Sequence, residues 1–370
     1  MTDLVGGRRW TPAGAVAGPR AVVLSDALAD PIRPSHRDVA TDPVAVLDLG
    51  GTWLRAAIHR NGALQHVVKR PAVTRWRHPG LAAAQLVPKI VQQLAAAADE
   101  LTSHDPRIRR VGVSIGAALD ERTGHVVGSG PLFGDMRVHV LLGEHLHAAA
   151  PCLEWTVVND VTAAALQFAD ENPACRRVAA LVVGTGIALR TVEPATRRIA
   201  VDSATGLQGE IGHVPSTMTY RGVLVEGECQ CGRRNHLAAF CSGAGLAALL
   251  SSGVISSARR WGASVEQFAA AVARGETEAL DLLAAATRPL GQALLTTLTV
   301  DPHIERIGLV GGVADGLGSA FLDTLRSHLS DWDFYGSAGV VPHRLRQISA
   351  GDDACLMGAA QAVMHPYHTS

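Results

Sequence analysis

Regular hydrophobic patterning begins abruptly at Val44–Leu49, an apolar run interrupted only by Asp48 and closed by Gly50-Gly51, the pattern of a buried strand and a tight turn. Leu54–Ile58 and Leu64–Lys69 flank Asn61-Gly62, a hairpin signal. Leu81–Leu101 has helical spacing with Pro88 inside it, which predicts two helices or one kinked helix. Arg110–Ile115, Trp155–Val158, Val178–Val183, Ala188–Val192 and Arg306–Val310 read as further strands. Helical spacing starts near Thr162, dominates from Leu237 to about Thr299 with breaks at Gly253 and Gly262, and returns at Leu317–Ser330 and Asp353–Met364. Strands alternating with helices predict an α/β protein. Two glycine-ended strands far apart, Asp48–Gly51 and Val183–Gly186, predict two halves with a cleft between them. Residues 1–43, punctuated by proline and glycine without a sustained period, read as a loose extension. A small α/β lobe over 44–165, a large α/β lobe over 166–351, and a C-terminal helical segment over 352–370 returning to the small lobe complete the expected organisation.

Composition narrows the function classes. With 47% hydrophobic and 18% charged residues, the chain has ample material for a core. Its 33 basic and 34 acidic residues leave a net charge of −1, so no global field draws it to nucleic acid or a membrane surface. No apolar stretch reaches the roughly 18–20 residues of a membrane span, and no signal-peptide segment precedes Arg8-Arg9. Six cysteines in 370 residues do not make a disulfide framework, which points to a reducing cytoplasm.

Six short segments carry chemistry. Asp48-Leu49-Gly50-Gly51-Thr52 puts a carboxylate, two glycines and a hydroxyl on a turn after a strand. Glycines there let backbone N–H groups approach a phosphate, Asp48 can orient magnesium through water, and Thr52 can donate to phosphoryl oxygens. Gly184-Thr185-Gly186 and Gly311-Gly312 form two more strand-to-glycine turns, and the trio fits a nucleotide held across a cleft. Asn159-Asp160 stands at a strand end, where it reads as a helix cap or as a carboxylate able to take a proton from a substrate hydroxyl. Gly209-Glu210-Ile211-Gly212-His213 is followed by Cys229-Gln230-Cys231 and then His236. His213, Cys229, Cys231 and His236 make a tetrahedral Cys2His2 zinc set, with Cys241 a rival for the fourth position.

The order of these motifs resembles the ROK family, within the sugar-kinase/Hsp70/actin superfamily, over about Val44–Ala362. The resemblance implies a two-lobed actin-like (ribonuclease H-like) fold and phosphoryl transfer from ATP, with Mg2+, to a hydroxyl of a sugar-like substrate. It implies that Asp160 is the general base, that Asn159 orients substrate, and that Glu210 and His213 hydrogen-bond vicinal hydroxyls. His213 would also ligate a structural Zn2+ through its other ring nitrogen. Asp48, Gly50, Gly51, Thr52, Gly184, Thr185, Gly186, Gly311 and Gly312 would hold the nucleotide. A homodimer is also implied, and neither nucleic acid nor membrane is an expected partner.

Four departures bear on the substrate. His236 replaces the family's last zinc-loop cysteine, and Ala238 stands where sugar kinases place a glutamate against the anomeric side of the sugar. Gly130-Pro131-Leu132 replaces a Pro-Asn-Leu that offers asparagine to the sugar, and Ala188, Leu189 and Arg190 replace glycines after Gly-Thr-Gly. A glucose pocket without the two polar partners would leave hydroxyls unpaired, at about 1–3 kcal/mol each. A C7-cyclitol of the 2-epi-5-epi-valiolone or valienol type, with no ring oxygen or anomeric centre, suits such a pocket through its exocyclic 7-hydroxyl. A hexose or amino-sugar kinase and a catalytically inactive sugar-binding sensor are the alternatives. The fourth departure raises the question of whether the nucleotide side keeps its geometry.

Overall fold

The computed structural model describes residues 42–253, 255–262, 264–331 and 339–370. The expected extension therefore lies, up to residue 41, outside the described residues. Two sheets organise the rest. The first has the order β3-β2-β1-β4-β5, built from β1 (Val44–Leu49), β2 (Trp53–Arg60), β3 (Ala63–Pro71), β4 (Arg110–Ile115) and β5 (Glu154–Asn159). The β1–β2 pair is antiparallel, whereas β1–β4 and β4–β5 are parallel. The second has the order β7-β6-β8-β9, from β6 (Arg177–Val183), β7 (Ile187–Val192), β8 (Ile304–Val310) and β9 (Leu345–Gln347). Here too an antiparallel hairpin, β6–β7, is extended by parallel strands. Both sheets thus repeat one plan, a hairpin whose first strand then pairs in parallel with later strands.

Local chemistry accounts for the elements. Asn61 and Gly62 both have positive φ, 53° and 76°, as a two-residue hairpin turn of matching twist requires. Helix α1 (Ala83–His104) is one helix despite Pro88, its sixth residue, which gives up the internal bond its missing N–H would make. It buries Leu86, Ile90, Leu94, Ala97 and Leu101 on one face. Helix α2 (Asp160–Glu171) follows β5 directly, and its buried Ala163, Ala164 and Ala165 let the backbone approach its neighbours. Helices α3 (Thr277–Val300), α4 (Gly312–Ser330) and α5 (Ala354–Met364) complete the main framework. The helical backbone of α4 is interrupted at Gly318, where φ is 58°, one residue beyond the sequence-based start at Leu317.

Core residues of β5, α2, β6, β8 and α5 form one continuous apolar cluster joining the two sheets. The contact is close: a Cβ on Gly358 of α5 would lie 1.8 Å from the Ala163 carbonyl of α2, and one on Gly112 of β4 2.5 Å from that of Ala359. Helix α5 therefore wedges between β4 and α2 and fixes the end of β5 that carries Asn159 and Asp160. Among the described residues no helix is long and apolar enough to cross a membrane.

Candidate active site and zinc centre

The three glycine turns lie at the carboxyl ends of β1, β6 and β8, where open α/β sheets bind ligands. They converge. A Cβ on Gly51 would lie 2.6 Å from Cβ of Pro131 and 3.2 Å from Cγ2 of Thr185, and the Thr52 and Thr185 hydroxyls stand 3.5 Å apart. On the other side, Gly184 faces the backbone nitrogen of Gly312, and Gly243 N–H donates to the Gly184 carbonyl at 2.7 Å. Gly311 is required where it stands: its φ is 116°, and a side chain would strike the Val183 carbonyl.

Asp160 opens α2. Its Oδ1 accepts from Val161 N–H at 2.8 Å, and its Oδ2 lies over Gly116, whose absent side chain leaves the gap toward Gly50. Burial pushes the Asp160 carboxyl up to about 7, reinforced by the negative charges of Asp48 and Glu210 and opposed by the Val161 N–H and Arg190. Asp48 is pinned by Arg55 at 3.0 Å and by the Ser114 hydroxyl at 2.8 Å; Arg55 also reaches Asp353 at 3.5 Å and the Asp352 carbonyl. A carboxylate poised near neutrality beside phosphate-type turns can accept a proton from an alcohol at physiological pH.

Glu210 is set by its flanking glycines. Gly209 has φ 75° and packs against the Leu189 carbonyl, Gly212 packs against that of Ile187, and Leu189 N–H donates to the Gly209 carbonyl at 2.9 Å. The loop is thereby laid flush on β7. Burial raises the Glu210 carboxyl, opposed by the Arg190 charge.

His213, Cys229, Cys231 and His236 come together. Their ligand atoms all lie within 4.8 Å of one another, with Cys231 Sγ 3.3 Å from His236 Nδ1 and Cys229 Sγ 3.8 Å from His213 Nδ1. Gly232 N–H donates to the Cys229 carbonyl, closing the turn that aims both sulfurs one way. A bridge between Pro215 and His236 ties this loop to the segment carrying Glu210 and His213. Burial pushes the Cys229 thiol up to about 11, a proton affinity that a divalent cation's charge would overcome. Two sulfurs and two imidazoles at this spacing fit Zn2+. Cys241 is not part of the group: it faces the core, with Sγ directed at the Leu237 carbonyl.

Two expectations change. Asn159 was expected to orient substrate, yet it is 2% exposed and its amide is engaged within the protein. Oδ1 caps Val161 and Thr162 N–H, and Nδ2 donates to the Ala117 carbonyl at 2.6 Å. It is the helix cap that the local pattern also allowed. The Ala188-Leu189-Arg190 substitution does not disturb the glycine turn, because these residues pair in register with Val182, Leu181 and Ala180. The Arg190 side chain points instead toward Asn159 and Glu121. Glu121 and Tyr367, whose hydroxyl donates to Glu121 at 2.6 Å, belong to the same buried cluster, and no sequence motif marks either. Pro131 fills the space between Gly51 and Gly186, and Ala238 is buried at the start of a short helix, Ala238–Cys241.

The ROK family model matches residues 44–365. The chain belongs to the ROK family. It is 36% identical to a 2-epi-5-epi-valiolone 7-kinase of Actinoplanes sp., across 90% of this chain and 94% of that one. It is 29% identical to a C(7)-cyclitol 7-kinase of Streptomyces hygroscopicus subsp. jinggangensis, across 86% and 93%. Among solved structures, a ROK family glucokinase of Streptomyces griseus in complex with glucose and AMPPNP superposes with a TM-score of 0.69 at 21% identity, covering 87% of this chain and 99% of that one. A ROK family transcriptional regulator, a homologue of the E. coli MLC protein, reaches 0.64 at 18% identity, across 87% and 78%. This ROK protein thus has the two-lobed actin-like fold, which kinases and regulators share, so the fold alone does not separate the two functions.

Proposed function

We propose that this ROK protein is an ATP-dependent kinase of a C7-cyclitol, with the exocyclic 7-hydroxyl as acceptor. The observation that carries this reading is the position of Asp160, a carboxylate held near neutral pKa and facing the turn at Gly50. Asp160 takes the hydroxyl proton as the substrate oxygen attacks the γ-phosphorus; the bond to the β–γ bridging oxygen breaks, and ADP leaves. Gly50, Gly51 and Thr52 on one side, and Gly184, Thr185, Gly186, Gly311 and Gly312 on the other, present backbone and hydroxyl donors to the phosphates. Asp48 would orient the waters of a nucleotide-bound Mg2+, whose charge would offset that of the phosphates.

Glu210 and His213 would read neighbouring substrate hydroxyls, and a Zn2+ held by His213, Cys229, Cys231 and His236 would fix the His213 ring. Asn159 acts through the loop it caps. Pro131 and Ala238 remove two polar groups that a hexose would use, which favours a carbocycle and agrees with the substrates named for the relatives at 36% and 29% identity. The test is ATP-dependent turnover on 2-epi-5-epi-valiolone, glucose and N-acetylmannosamine, with the phosphorylated carbon located by NMR. The cyclitol should be the best substrate and carry phosphate on its exocyclic carbon. Best turnover on glucose, or phosphate on a ring hydroxyl, refutes the assignment.

A further inference from the structure

Behind the Asp160 loop lies a charged group that the proposed chemistry does not use. Arg190 of β7 is fully buried, with Nη2 3.7 Å from Glu121 Oε1, and both side chains are 0% exposed. Nη2 also lies 3.4 Å from Asn159 Oδ1, the atom that caps α2. Glu121 accepts from the Thr162 hydroxyl at 2.6 Å and from the Tyr367 hydroxyl at 2.6 Å. Thr162 is two residues beyond Asp160 on the same helix turn. Tyr367 is delivered by the C-terminal tail, whose His368–Thr369 pairs with Arg198–Ile199. Arg190 Nε and Nη1 have no hydrogen-bond partner among the described residues.

A buried cation with two unpaired donors is costly, and apolar replacement of such a pair is often neutral or stabilising. Stability therefore does not explain Arg190. The charges around it do. Asp160 is faced by Asp48 from β1, by Glu210 from the loop laid on β7, by Arg190 from β7 itself, and by the thiol of Cys355 from α5. Cys355 stays protonated, its thiol pushed well up by burial. Arg55 of β2 already pairs with Asp48, which leaves Arg190 as the cation set against Asp160 and Glu210.

We propose that Arg190, held in place by Glu121 and Tyr367, is a positioning residue for phosphoryl transfer: its buried charge, acting through the Asn159 cap, keeps Asp160 ionised and aligned among the carboxylates of the cleft. This rests on Asp160 being the base. The same field acts on Glu210, so the cation couples the base and a hydroxyl-reading group.

The experiment follows the Asp160 carboxyl directly, as the 13C resonance that disappears in Asp160→Asn, together with the pH profile of kcat. Three variants are compared with the wild type: Glu121→Gln, Arg190→Met/Glu121→Gln, and Arg190→Lys. Glu121→Gln leaves the cation unopposed, so the Asp160 midpoint should move down. The double variant removes the cation as well, and its midpoint should lie about one pH unit above that of Glu121→Gln. Opposite displacements cannot come from general loosening. Arg190→Lys keeps the charge but loses the fork, so its midpoint should stay near the wild-type value while kcat falls. If the double variant does not fold, Glu121→Gln and Arg190→Lys still decide: an Asp160 midpoint unmoved by the first overturns the proposal, as does one raised by about a unit in the second. A carboxyl that titrates as described in a protein without turnover would overturn the kinase reading, and with it the positioning role, and leave only the effect of Arg190 on the Asp160 charge.

Discussion

At the scale of single residues, Asp160 combines two demands that pull against each other. Its folded pKa of about 7 lies above its ordinary 3.8, so the folded state binds the extra proton between those values. Stability contributed by that proton is fully present below about pH 4 and is lost as pH rises through 7. Asp160→Asn carries no such penalty. Its melting temperature should therefore exceed that of the wild type at pH 8, and the gap should close near pH 4; equal melting at pH 8 would contradict the burial of a charge there. Activity runs the other way, because the proposed role requires Asp160 to be ionised. kcat should fall as pH drops below about 7, roughly tenfold per unit, and level off above it. Asp160 was legible from its place after a strand. Its environment was not, since Gly116, Glu210 and Arg190 come from distant segments that no local spacing connects.

At the scale of elements, the loop carrying Glu210 and His213 depends on two supports, β7 beneath it and the Cys2His2 group beside it. Cys229→Ser or Cys231→Ser should abolish stoichiometric zinc measured by mass spectrometry and raise KM more than it lowers kcat. Cys241→Ser should retain the metal, because Cys241 faces the core. Loss of zinc from Cys241→Ser would put the fourth ligand in the wrong place. The α2–α5 contact makes a sharper packing claim. Gly358→Ala forces a methyl onto the Ala163 carbonyl and should destabilise the fold by about 1–3 kcal/mol or more. Gly316→Ala, whose new methyl meets nothing within 4 Å, should cost nothing, and helix propensity favours a gain of up to about 1 kcal/mol. Denaturant titration separates the two. Long strands and helices were readable from period and glycine punctuation. Pro88 was ambiguous because an interior proline breaks, kinks or leaves a helix continuous according to the packing around it, and the short strand at His368–Thr369 has no pattern that would single it out.

At the scale of the whole molecule, the fold brings three glycine turns, the Asp160 carboxyl and the loop beside the Cys2His2 group to a common region between two sheets of repeated plan. The order of motifs along the chain was enough to suggest this plan, because the three glycine turns and Asn159-Asp160 each terminate a strand and strand ends of parallel sheets gather on one side. What the chain order could not give is the use of residues between motifs. Arg190 reads as a lost glycine of the nucleotide turn, yet its register on β7 turns it toward Asn159. Asn159 reads as a ligand-facing amide, yet two helix N–H groups and a carbonyl claim it.

The most direct test compares wild type and Asp160→Asn for ADP formation with the preferred polyol, alongside calorimetric binding of that polyol. Turnover should fall by about 10²–10⁴-fold while the dissociation constant changes by less than about threefold. An Asn variant that turns over at the wild-type rate would show that the proton goes elsewhere, and that Asp160 is not the base.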